Sequence, residues 1–107
     1  MKLVLSIVNH DDAGDVIKAL AKNGFSSTRL ATTGGFLMAG NVTLLVGVEE
    51  HLVEQVIGLI KEYCHSRKQI MPTNSEISYG YFPSAPIEVT VGGATIFVLD
   101  VEQVERF

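Results

Sequence analysis

Residues 28–41 concentrate the groups that could do chemistry: Thr-Arg-Leu-Ala-Thr-Thr-Gly-Gly-Phe-Leu-Met-Ala-Gly-Asn. Gly34 and Gly35 reach backbone angles closed to other residues, and a turn built on them can leave amide N–H groups uncovered. Backbone donors in such turns hold anions. Phe36 and Leu37 follow at once and put an apolar face beside those donors. Thr28, Thr32, Thr33 and Asn41 add neutral hydrogen-bonding groups. Donors next to an aromatic ring suit a ligand that is part phosphate and part flat ring. The competing reading is a glycine-rich hairpin with Phe36 packed into the core. Thr28 and Asn41 are then a plain strand residue and a turn residue.

Nucleophile and metal chemistry find little support. His10, His51 and His65 fall in three separate segments, without the spacing of a metal-binding helix pair. Cys64 lies on the apolar stripe of a predicted helix, where packing is the expected role. As the single cysteine it can form neither an internal disulfide nor a Cys-rich metal site. Gly34-Gly35 follows a strand pattern but precedes no helix, so it is not a phosphate-loop or dinucleotide fingerprint. No enzyme, no metal and no cofactor are expected. The formal net charge is −4 and no Lys/Arg cluster stands out, which argues against extended binding to nucleic acid. A small anion is still compatible, because backbone amides and one or two cations can hold it. No apolar run approaches membrane-spanning length. The first residues carry a strand pattern in place of a basic start and cleavage site, so a cytoplasmic location is expected.

The elements that must position these groups read as follows. At 107 residues, 47% hydrophobic and 19% charged, one globular domain over residues 1–107 is expected. Residues 3–8 form an apolar strand. Asp11 or Asp12 is placed as the cap of a helix whose stripe is Ala13, Val16, Ile17 and Leu20. Gly24 occupies the C-terminal glycine position of that helix. A second strand is predicted over residues 25–33 and a third over 42–48. Glu49 and Glu50 put negative charge at the start of a second helix with the stripe Val53, Val56, Ile57, Ile60 and Cys64. Residues 65–85 read as a long polar loop, with Pro72, Pro83 and the cluster Tyr79-Gly80-Tyr81-Phe82. A strand over 86–91, a two-residue turn at Gly92-Gly93 and a returning strand over 94–99 complete the pattern. Val101 and Val104 stand at helical spacing in a short tail. The order is α+β: a ferredoxin-like βαββαβ sandwich with an added C-terminal hairpin strand.

The Ala-Thr-Thr-Gly-Gly-Phe-Leu block of residues 31–37 and the Val-Gly-Gly-Ala-Thr block of residues 91–95 occur together with Ala39-Gly40-Asn41, Thr43, Gly47-Val48 and Ile96-Phe97-Val98. This combination resembles the PII-like cyclic di-AMP receptor proteins, PstA or DarA, over almost the full chain, least over residues 65–85. The resemblance implies a homotrimer of ferredoxin-like protomers with one cyclic di-AMP in each cleft between neighbouring subunits, and a downstream protein partner. By position, Thr28, Phe36, Leu37, Asn41, Gly47 and Phe97 match pocket residues of that family. Phe36 can stack on adenine and Asn41 can read an adenine edge. Gly47 leaves room for close approach, and the Gly35 and Phe36 amides can face phosphate. Phe97 sits mid-strand, where plain core is the alternative. Family members commonly carry Arg at the position of Ser26, and often Arg or Lys at that of Met38. Strand alternation puts Arg29 on the face opposite Ser26 and Thr28. Arg106 stands where a Gln contacts ligand in a relative and can supply a cation. Two other functions fit the same residues: a PII-like sensor of another adenine nucleotide, and a protein-interaction module with no small ligand.

Overall fold

The structure, a computed structural model, describes residues 1–30, 40–71 and 87–107. Its order is β1 (Lys2–Asn9), α1 (His10–Lys22), β2 (Thr28–Leu30), β3 (Asn41–Val48), α2 (Val53–Tyr63), β4 (Arg67–Met71), β5 (Ile87–Val91) and β6 (Ala94–Asp100). Four strands make an antiparallel sheet in the order β2-β3-β1-β6, and β4 pairs with β5 in a separate two-stranded sheet. This is the α+β ferredoxin-like architecture: β6 supplies the fourth strand of the βαββαβ sheet, and β4–β5 is the addition.

Alternation along the strands separates two faces. Val4, Ser6 and Val8 of β1 and Val42, Leu44, Val46 and Val48 of β3 are buried on the inner face. Ala13, Val16 and Leu20 of α1 and Val53, Val56, Ile60 and Cys64 of α2 join them in one core. Seven fully buried positions in that group are Val or Leu, and each stabilises by roughly 1.5–3 kcal/mol relative to exposure. The opposite face carries Leu5, Leu45, Phe97 and Leu99; neither helix covers it, and the tail reaches only one end of it. Phe97 is 50% exposed and Leu99 44%.

Several local expectations shift. Asn9, not Asp11 or Asp12, caps α1: its side-chain oxygen accepts the Asp11 N–H at 2.8 Å. The cap falls earlier because β1 runs directly into the helix with no intervening loop. At the other end Gly24 takes the expected place, with φ +85°. The Phe25 N–H donates to the Leu20 carbonyl at 2.8 Å and the Gly24 N–H to that of Ala21 at 3.1 Å, closing a Schellman turn. That turn and residues 26–27 delay pairing, so β2 begins at Thr28 rather than 25; its predicted extension over 31–33 lies outside the described residues. A single 3₁₀ turn, Glu50–Leu52, precedes α2.

The largest correction concerns the C-terminal third. Residues 67–71, read as loop, form β4 against β5, with Arg67 opposite Val91 and Met71 opposite Ile87. Arg-Lys-Gln carries no strand signature, because the ladder is made by backbone groups and its partner is about twenty residues away. Gly92 and Gly93 have the positive φ, +82° and +78°, that a two-residue hairpin turn requires. They join strands of different sheets, however: β6 pairs with β1 instead, Phe97 opposite Leu5 and Asp100 opposite Lys2. Residues 101–107 are not helical. The segment 72–86, with the Tyr79-to-Phe82 cluster, lies outside the described residues.

Candidate functional site

The uncovered sheet face has a floor set by register. Thr28 stands opposite Leu45, Leu45 opposite Leu5, and Leu5 opposite Phe97, so one row crosses all four strands. At one end of that row a cavity of about 420 Å³ opens, with Ser26, Thr28, Gly47 and Arg106 around an apolar base of Leu3 and Leu45. Thr28 comes from β2 and Gly47 from β3. Ser26 precedes β2 on the same side, two residues from Thr28. The tail crosses back over this end: the Val101 N–H donates to the Met1 carbonyl at 3.2 Å, and Val101 and Val104 wall the cavity beside Arg106. The tail is held just before this point by an ion pair between Lys2 and Asp100.

The chemistry of this cavity is polar at its rim and apolar at its base. Ser26 and Thr28 offer hydroxyls, and Arg106 offers a planar guanidinium with several N–H donors. A Cβ added at Gly47 would meet only the Met1 sulfur, at 3.9 Å, so the glycine leaves space above β3. Arg29 belongs to the other face, since its partner Leu44 is fully buried among the helices. The expected separation of Arg29 from Ser26 and Thr28 is thus observed.

Three of the eight sequence-predicted site residues, Thr28, Gly47 and Arg106, meet here. Two others stand apart. Asn41 opens β3, about 20 Å along the strand from Gly47 at 3.4 Å per residue. It lies opposite Asn9, and the neighbouring Gly40 carbonyl accepts the His10 N–H. Phe97 is exposed on the same face as Thr28, yet β1 and β3 lie between them, three strand spacings or about 14 Å. Phe97 is therefore not the core residue that its mid-strand position allowed. Gly35, Phe36 and Leu37 lie outside the described residues. Sequence reasoning missed Leu3, Leu45, Val101 and Val104. The period-2 pattern of β3 could have found Leu45, which shares its face with Gly47; nothing in the tail's composition announces Val104.

Other candidate chemistry is unremarkable. Among the described residues no group of three His, Cys, Asp or Glu side chains gathers as a metal site. His10, His51 and His65 are exposed. Cys64 is buried at the end of the α2 stripe, as expected. No helix among the described residues is long and apolar enough to cross a membrane.

Comparison with known proteins adds two findings. The family model described as "Cyclic-di-AMP receptor" matches residues 1–107. Among solved structures, one from Pediococcus pentosaceus, described as functionally unknown, is 42% identical. The similarity covers 99% of this chain and 96% of that one, with a TM-score of 0.76.

Proposed function

The chain belongs to the cyclic-di-AMP receptor family, the PII-like DarA/PstA proteins, and from that premise we propose that it is a non-enzymatic signalling protein binding cyclic di-AMP between the subunits of a homotrimer. One observation carries the reading. Thr28, Gly47 and Arg106, far apart in sequence, converge on one cavity of the uncovered sheet face. Of the other described residues expected in the site, Asn41 stands at the far end of β3 on the same face and Phe97 at the opposite sheet edge. A head-to-tail ring brings the Thr28 edge of one copy to the Phe97 edge of the next, which supplies the missing aromatic face. Each cleft then combines hydroxyls and a cation with an aromatic ring. Asn41 extends the proposed site along β3, and the family resemblance adds Gly35, Phe36 and Leu37.

A ligand screen by thermal shift tests this. Cyclic di-AMP is expected to raise the melting temperature, while ATP and ADP leave it unchanged. Stabilisation by ATP or ADP instead makes the chain a sensor of another adenine nucleotide. No response to any nucleotide assigns the face to a protein partner.

A further inference from the structure

A second cavity, about 540 Å³, lies on the other side of β6, at the root of the β4–β5 pair. Among the described residues that line it, none is assigned to cyclic di-AMP. Ile57, Ile96 and Val98 give it an apolar lining, and Lys61, His65 and Ser66 add polar groups. Among the described residues that line it there is no carboxylate, in a chain with twelve acidic residues and a net charge of −4. Ligand pockets typically measure about 300–1,000 Å³ and combine an apolar lining with a few convergent polar groups. The carbonyl end of α2 contributes roughly half a negative charge here. The full charge of Lys61 outweighs it, and the His65 imidazole can donate an N–H in either protonation state.

The same place is where β4–β5 joins the body. That pair forms no ladder with the four-stranded sheet. It is reached by residues 64–66 on one side and by Gly92 and Gly93 on the other. The two crossings run side by side: a Cβ built on Gly93 would lie 3.7 Å from the Ser66 Cβ and 3.8 Å from the Cys64 carbonyl oxygen. Cys64, Ser66 and Gly93 all line the cavity. An occupant therefore touches both connections at once.

We propose that this cavity is a second binding site, for a small organic anion with an apolar body, and that its occupancy alters the opening of the β4–β5 ladder. The anionic group sits at Lys61, His65 and Ser66, and the apolar body lies against Ile57, Ile96 and Val98. The site is separate from the cyclic di-AMP cavity, which lies on the opposite sheet face.

Anilinonaphthalene sulfonate, an aromatic body with one sulfonate, is the probe. Its fluorescence is titrated against the full chain, the exposed-site variant Lys61→Glu and the cavity-filling variant Val98→Trp. Lys61→Glu is expected to weaken the probe by about tenfold, the worth of one lost charge-assisted hydrogen bond. Val98→Trp should abolish the same component, and saturating cyclic di-AMP should displace none of it. Cyclic di-AMP affinity should be equal in Lys61→Glu and the parent, so a failure there is distinguishable from a failure here. Hydrogen exchange of the residue 67–71 amides should change when the probe binds. Probe binding that is indifferent to Lys61→Glu, or displaced by cyclic di-AMP, overturns the site. Unchanged exchange in β4 with the probe bound overturns the coupling.

Discussion

Ser26 and Arg106 share one cavity, and only one of them carries charge. Cyclic di-AMP brings two negative charges to a chain that is itself at −4. A charge-assisted hydrogen bond contributes about 1.5–3 kcal/mol, against roughly 1 for a neutral one. Ser26→Arg is therefore expected to tighten cyclic di-AMP binding by about tenfold or more, and Arg106→Ala to weaken it by a similar factor. Calorimetric titration of both variants at two salt concentrations measures this; no change in either leaves the phosphates to backbone amides. A second residue makes a prediction about stability. Ser6 is fully buried beneath the helices, and its hydroxyl has no hydrogen-bond partner among the described residues. An unsatisfied buried hydroxyl costs stability. Ser6→Ala should hold or raise the midpoint of urea unfolding, by up to about 1 kcal/mol, and a loss would reveal a partner for the hydroxyl.

At the scale of elements, two joints decide how the sheets are held. Gly93 lies at φ +78°, with Ser66 and Cys64 packed beside it. A side chain there meets the left-handed penalty of roughly 1–2 kcal/mol. Gly93→Ala should lower stability by about that amount, read from chemical denaturation, while Gly14→Ala in α1 serves as a control that meets no neighbour. The second joint is the ion pair of Lys2 with Asp100, which ties β1 to the end of β6. Its hydrogen bond, then its charge, holds the Asp100 carboxyl below the usual carboxylate range; the same bond raises Lys2 above the usual amine range. The depressed carboxyl contributes stability above its unfolded-state pKa, and this is lost as pH falls through the folded value. The raised ammonium contributes below its unfolded-state pKa and loses it as pH rises through the folded value. Asp100 is exposed and Lys2 partly so, which makes the effect small and salt-sensitive. Lys2→Ala should lower the melting temperature slightly at neutral pH, with the difference closing in strong acid and in 1 M salt. A difference independent of pH would assign the loss to the lysine stem's packing.

For the whole molecule, the uncovered face is the main fact. Leu5, Leu45, Phe97 and Leu99 share it, and a contiguous apolar face of this kind marks an interaction surface. The two edges of the sheet differ, β2 on one side and β6 on the other, so copies joined edge to edge would make a heterologous contact, which forms a ring where its rotation closes. Light scattering coupled to gel filtration should give three times the 11.6 kDa chain mass at micromolar concentration. Phe97→Asp should shift the mass toward monomer and abolish cyclic di-AMP binding together. A monomeric parent chain would remove the shared cleft.

The periodicities by themselves determined the ferredoxin-like core. Ala13, Val16 and Leu20 repeat at helical spacing, and Val42, Leu44, Val46 and Val48 at strand spacing, because burial against one core is a local property of each element. Family resemblance, carried by short blocks such as Val-Gly-Gly-Ala-Thr, brought in the ligand. Only the tertiary structure decided the pairing of Arg67–Met71 with Ile87–Val91, since a ladder is made by backbone groups whose partner the side chains do not name. It also decided that Gly92 and Gly93 form a corner between sheets, although their angles suit a hairpin turn. The convergence of Ser26, Thr28, Gly47 and Arg106 likewise depends on register across three strands and on a tail that turns back over β1. Such contacts between distant residues are set by packing, and no short window of sequence contains them.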